Sequence, residues 1–193
     1  MGLPIEKLIV ATNENDILEK AINLGEYKPS KVKPSLSPSM DVQISSNFER
    51  LLFYVLKEDD KKLSSLMSQL SSKGSFRLDE EEKKIIKKDF CAYKITDKET
   101  LEIIKTFSEK FDFVLDPHTA TAVGASKKAN LESEVLTLGT AHPYKFLETI
   151  KMATNKEVKI PNQLINILEK KEKYDILENR TSEVKNYILG KLS

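Results

Sequence analysis

Cysteine is almost absent from this chain. Cys91 is the single one, which excludes an internal disulfide framework. Histidine is as scarce, with only His118 and His142, and neither stands at ligand spacing from the cysteine or from the other. No zinc site is expected from such a set. Long hydrophobic runs are missing too. The longest are a few residues, far below the roughly 20 that a membrane-spanning helix needs. The start, Met1-Gly2-Leu3-Pro4-Ile5, lacks the basic and long apolar regions of a secretory signal. Gly2 invites myristoylation, but Glu6 occupies the position where Ser or Thr is required. No charge of one sign dominates, with Lys plus Arg 31 against Asp plus Glu 30. No basic tract is interleaved with aromatics, so no nucleic-acid partner is expected, and no membrane partner either. These absences read as a cytoplasmic protein. On that reading Asn179-Arg180-Thr181 is a chance match to a glycosylation acceptor.

What is present suits one ordinary domain: 193 residues, of which 39% are hydrophobic. Lys7-Leu8-Ile9-Val10-Ala11 reads as a buried strand. It runs into Thr12-Asn13-Glu14-Asn15-Asp16, residue types that cap helices. Ile17, Leu18, Ala21 and Ile22 share one helical face, and Gly25 ends that helix. Pro29, Pro34 and Pro38 make 26–44 a loop with short extended pieces. Ser46 and Glu49 stand at capping-box spacing, ahead of a stripe of Phe48, Leu51, Leu52, Val55 and Leu56.

Residues 57–90 are charged and serine-rich, with weak amphipathic helices near 63–70 and 79–88. They read as a peripheral helical insertion, and Glu80-Glu81-Glu82-Lys83-Lys84 as a solvated helix face. Tyr93-Lys94-Ile95 restores the strand pattern, and Asp97 is expected to cap a helix carrying Leu101, Ile104, Phe107 and Phe111. Beyond residue 155 the pattern predicts a tail, 156–193, with two short amphipathic helices, one starting at Pro161. Strands separated by helices argue for an α/β, doubly wound sheet.

Two segments concentrate the unusual chemistry. Phe113-Val114-Leu115 leads into Asp116-Pro117-His118-Thr119-Ala120, and Val135-Leu136-Thr137-Leu138 leads into Gly139-Thr140-Ala141-His142-Pro143. Both are expected to be strand-to-helix junctions. In a parallel sheet such junctions lie at the carboxyl edge, where ligands bind.

These segments resemble threonine synthase. So do Val10–Asp16, Ser37-Pro38-Ser39-Met40-Asp41 and Ser45-Ser46-Asn47-Phe48-Glu49-Arg50, in the same order along the chain. The resemblance implies the C-terminal portion of a doubly wound, mainly parallel sheet, similar to tryptophan synthase β (pyridoxal-phosphate fold type II). Residues 1–155 would belong to the large cofactor-binding domain. It also implies an enzyme that converts O-phosphohomoserine and water to threonine and phosphate, with pyridoxal 5'-phosphate as cofactor. The family's Ser-Phe-Lys-Asp lysine motif and Gly-Asn-Phe-Gly-Asp phosphate loop do not occur in this sequence. The expectation is therefore a C-terminal part that is inactive without a separate N-terminal half.

By the same resemblance, Thr140 stands where a hydroxyl meets the pyridine nitrogen of the cofactor. A hydroxyl can donate to a neutral ring nitrogen, whereas a carboxylate would favour its protonation. Capping of the helix expected to start at Pro143 is the plainer role, and both can hold together. His118 either faces the substrate phosphate or bonds backbone in a tight turn. His142 shapes its own turn. Asn47 and Arg50 open a helix, whose N-terminus attracts anions; they either hold phosphate or serve as cap and ion-pair partners. Ser37 and Asp41 are substrate-binding candidates of similar standing. Asn13, Asn15 and Asp16 read mainly as capping residues, and Cys91 as an apolar filler. Two other functions stay open: a catalytically dead remnant or interaction module, and a related phospho-lyase.

Overall fold

The computed structural model describes residues 2, 4–159, 161–162, 165 and 170–192. The chain divides into two compact units, residues 1–159 and 160–193.

The first unit is built on β1 (Leu8–Thr12) and β4 (Phe90–Lys94), which pair in parallel from Leu8 with Phe90 to Thr12 with Lys94. The Ile95 N–H donates to the Thr12 carbonyl at 2.9 Å and extends the ladder by one bond. Side chains alternate between two cores, as the two-residue period of a strand requires. Val10, Phe90 and Ala92 join Ile17, Ala21, Ile22, Phe48 and Leu52 on one face. Ile9, Ala11 and Tyr93 join Ile104, Leu115, Ala120 and Ile150 on the other.

The first face is covered by α1 (Ile17–Leu24) and α2 (Ser46–Val55). Gly25, at φ 71°, closes α1 in the left-handed conformation. The segment 57–90 is helical as expected, with α3 (Asp60–Lys73) and α4 (Glu80–Asp89). It is less peripheral than its composition suggests. Leu66, Phe76, Leu78 and Ile86 are all buried in the same core. Phe76 lies in β3 (Phe76–Arg77), antiparallel to β2 (Glu26–Tyr27). Glu82 departs from the solvated charge run. It is buried, forms a capping box with Asp79, and sits 2.5 Å from the Lys62 ammonium.

The second face carries α5 (Asp97–Phe111), α6 (Pro117–Ala129) and α7 (Leu147–Thr154). Gly124 lets α6 approach closely: a Cβ there would lie 2.8 Å from Ile103 Cδ1 and 3.0 Å from Ile95 Cδ1.

Three sequence expectations about caps are corrected. The N-cap of α2 is Ser45, without a side-chain bond, so Ser46 and Glu49 form no capping box. The Ser45 N–H instead donates to the Tyr27 hydroxyl at 2.7 Å. Tyr27 is itself stacked between Phe48 and Phe76. The cap of α5 is Thr96, in a capping box with Glu99, and not Asp97. Asp16 occupies the cap of α1 but turns its carboxylate to Lys20 and Lys94.

The apolar runs Phe113–Leu115 and Val135–Leu138 are not strands here. Strand geometry needs a paired backbone, and among the described residues neither run joins a strand ladder. Phe113, Leu136 and Leu138 are exposed, Leu136 by 87%.

In the second unit α8 (Thr181–Leu192) carries exposed Val184, Ile188 and Leu189. The helix expected from Pro161 lies largely outside the described residues. Among the described residues no helix is long and apolar enough to cross a membrane.

Candidate functional site

Beyond its carboxyl end, β1 leads directly to Asn13 and Asn15, each 1% exposed. Their role exceeds capping. The Asn13 amide nitrogen reaches Ser35 Oγ at 2.7 Å, Ser37 Oγ at 3.0 Å and Asp41 Oδ1 at 2.7 Å. The Asn15 amide donates to the Lys33 carbonyl at 2.8 Å and to Asp41 Oδ1 at 3.0 Å. Asp41 also accepts the Ser35 hydroxyl and the Ser35 N–H. These bonds pin the proline-rich loop 33–41 over the sheet edge. Buried polar groups of this kind persist only when paired, so Ser37 and Asp41 are both engaged in holding the loop.

Two further junctions reach the same loop. Asp97, opening α5, accepts the Leu36 N–H at 3.2 Å. His118, in the first turn of α6, accepts the Ser39 N–H on Nε2 at 3.1 Å. A ring nitrogen that accepts carries no proton, so the proton sits on Nδ1, 3.2 Å from Asp116 Oδ1. With both nitrogens taken and the residue 7% exposed, His118 acts here as a backbone anchor. The backbone group it bonds is an N–H, not a carbonyl.

Asp116 is the N-cap of α6, with Pro117 at the first helical position. It accepts the His118 N–H at 2.9 Å and the Thr119 N–H at 3.3 Å on Oδ1, and the Thr119 hydroxyl on Oδ2. Thr119 Oγ1 in turn accepts the Thr140 N–H at 3.4 Å. The ring of Phe146 lies 4.9 Å from that of His118. Loop 138–146 is thereby held against the start of α6 at both ends.

Thr140 itself is exposed, and its hydroxyl has no polar partner among the described residues. Asn47 and Arg50 are exposed near the start of α2. Neither makes a capping bond or an ion pair among the described residues. His142 is exposed, and its Nδ1 accepts the Tyr144 N–H at 3.1 Å, shaping its own turn as expected. Cys91 is half-buried, and burial pushes its thiol up. Among the described residues no group of acids, histidines and cysteines could hold a metal.

Charges behind the edge are paired. Burial opposes ionisation of Asp16, yet hydrogen bonds and attraction from Lys20 and Lys94 hold its carboxyl below its ordinary value. Burial likewise works against the Lys94 charge, but Glu14 and Asp16 raise its ammonium above the usual lysine range.

Ser35, Asp97, Asp116 and Thr119 complete this arrangement without standing out as site residues in the sequence. Asp116 carries a local signal, an acidic residue before proline at a helix start, and Asp97 one as an acidic residue at the start of α5.

A layered α/β unit of this kind is shared with solved pyridoxal-phosphate proteins of fold type II. A threonine synthase from Brucella melitensis, solved with pyridoxal phosphate bound, matches 97% of this chain at 38% identity and a TM-score of 0.83. The yeast threonine synthase structure matches all of it at 35% identity and a TM-score of 0.82. The Pseudomonas aeruginosa threonine synthase is 36% identical over 191 residues, covering 97% of this chain and 41% of the relative. The Saccharomyces cerevisiae threonine synthase is 38% identical over 221 residues, covering all of this chain and 43% of the relative. A family model, threonine synthase, C-terminal, matches residues 119–188. The chain belongs to the threonine synthase family and corresponds to its C-terminal part. It spans about two-fifths of the length of the curated relatives it matches.

Proposed function

We propose that these residues form the C-terminal part of an enzyme that converts O-phosphohomoserine and water to threonine and phosphate in the cytoplasm. Catalysis requires the family's N-terminal part, carried on the same chain or on a separate one. The observation that carries this reading is the position of Thr140. Its amide is tied to the first turn of α6 while its hydroxyl is left without a polar partner among the described residues.

A free hydroxyl at the carboxyl edge fits the pyridine nitrogen of pyridoxal phosphate, because it can donate without protonating the ring. The cofactor supplies the electron sink for carbanion chemistry. This chain's own residues supply position. Thr140 orients the ring. The loop Ser37–Asp41, rigidified by Asn13, Asn15 and His118, would line the same site. Arg50 and Asn47 hold the substrate phosphate, with a guanidinium suited to two parallel hydrogen bonds and a helix start suited to an anion. The Schiff-base lysine and the cofactor-phosphate loop belong to the N-terminal part.

Exposed Phe113, in the run 113–115, and the largely exposed run 135–138 support the same view. Both runs are apolar enough for interior strands, and an N-terminal part offers the backbone they need. The test is reconstitution. The chain is mixed with an N-terminal part and pyridoxal phosphate, and threonine and phosphate release from O-phosphohomoserine are measured. We expect both products in equal amounts from the pair and none from the chain alone. A folded, cofactor-loaded pair that makes no threonine contradicts the reading. Such a pair acting on a different phosphorylated amino acid points to a related phospho-lyase.

A further inference from the structure

One buried carboxylate bonds two side chains that each hold one of the site loops. Asp116 is 2% exposed and has no lysine or arginine partner among the described residues. Its four donors are the N–H groups of His118 and Thr119, His118 Nδ1 and the Thr119 hydroxyl. Capping a helix uses only the two N–H groups. The other two point outward along separate branches. One runs through the His118 ring to the Ser39 N–H, and so to the loop Ser37–Asp41. The other runs through Thr119 Oγ1 to the Thr140 N–H.

We propose that Asp116 is a positioning residue that sets both loops together, His118 and Thr119 being its two arms. Its first oxygen keeps the His118 proton on Nδ1, which leaves Nε2 free to accept from Ser39. Its second fixes the Thr119 hydroxyl proton, which turns an oxygen lone pair toward Thr140. Because both arms end on one carboxylate, loss of Asp116 releases both loops, whereas loss of one arm releases only its own. The inference rests on the cofactor-side reading of Thr140.

The test uses the reconstituted enzyme with three variants. Asp116→Ser keeps an N-cap but is too short for both arms. Thr119→Val cuts one arm, and Thr119→Ser retains it. Amide exchange at Ser39 and Thr140 and the ring 15N shifts of His118 are read alongside kcat and KM. Thr119→Val should speed exchange at Thr140 by about tenfold, the scale of one hydrogen bond, and leave Ser39 unchanged. It should lower kcat more than it raises KM, and Thr119→Ser should restore both. Asp116→Ser should release both amides and populate the other His118 tautomer. Unchanged amides and an unchanged tautomer in Asp116→Ser would reduce Asp116 to a helix cap and overturn the proposal. Failure of the functional reading shows separately, as absence of threonine formation in the unaltered enzyme.

Discussion

Nε2 of His118 accepts the backbone N–H of Ser39 at 3.1 Å, a bond across 79 positions of sequence. It joins the start of α6 to the proline-rich loop and leaves no ring nitrogen for anything else. Replacing His118 with Leu keeps the bulk but strands the Ser39 N–H and one donor of Asp116. We expect a loss of about 1–3 kcal/mol, the range for an unpaired buried group. A urea titration reads it as a lower midpoint at constant slope.

Asn13 offers a sharper test of the loop network. Its amide nitrogen lies 2.7 Å from Asp41 Oδ1. Asn13→Ala removes the donor, whereas Asn13→Asp sets a second carboxylate against the first. Like charges at such a distance oppose ionisation. At neutral pH Asn13→Asp should be the more destabilised of the two. The gap should close as pH falls through the carboxylate range. Equal stability of the two variants at neutral pH would remove Asp41 from the network.

Gly25 is required by geometry. At φ 71° a side chain is strained, and a Cβ would lie 2.6 Å from Lys83 Cδ and 3.2 Å from the Leu78 carbonyl. Gly25→Ala should cost at least about 1 kcal/mol from the left-handed backbone alone. Thermal melts of the pair of proteins measure it. A neutral outcome would show that the end of α1 rearranges.

Glu99 sets an acid limit. Burial alone would raise its pKa, but hydrogen bonds from Lys128 and from Thr96 outweigh it and pull the carboxyl down to about 2. The folded value lies below the unfolded one of 4.5. Its stabilising share is therefore complete above that value and is lost as pH falls toward 2. The side chain is 36% exposed, so solvent screening keeps this share small. Glu99→Gln should be slightly less stable than the unaltered protein near neutrality, and the difference should vanish as pH falls through that window. An unchanged slope at low pH would contradict the assignment.

The fold is legible in the sequence where a local rule decides it. The strand at 8–12 and the helix closed by Gly25 follow from an apolar run, a helical stripe and a terminal glycine. The stripe from Phe48 to Leu56 does the same for α2. The runs 113–115 and 135–138 mislead, because apolar content marks a strand only when a neighbour exists to pair with it. Leu66 and Phe76 are hidden by charged and serine-rich surroundings, since a weak stripe can still be buried by what packs on it. At the site, Thr140 and the Ser37–Asp41 loop stand out only by family resemblance. Asn13 and Asn15 look like caps, because a capping amide and a buried network amide have the same local signature. The link from Asp116 to Thr140 spans a loop, and no short-range pattern encodes it.

The most direct test of the account places a 15N label in the pyridine ring of pyridoxal phosphate bound to the reconstituted enzyme. With Thr140 in place, the ring nitrogen should resonate as an unprotonated, hydrogen-bonded acceptor. Thr140→Val should move it to the position of a free acceptor, and Thr140→Ser should return it. A resonance that stays put in Thr140→Val, or a protonated nitrogen in the unaltered enzyme, would contradict the placement of Thr140 at the ring.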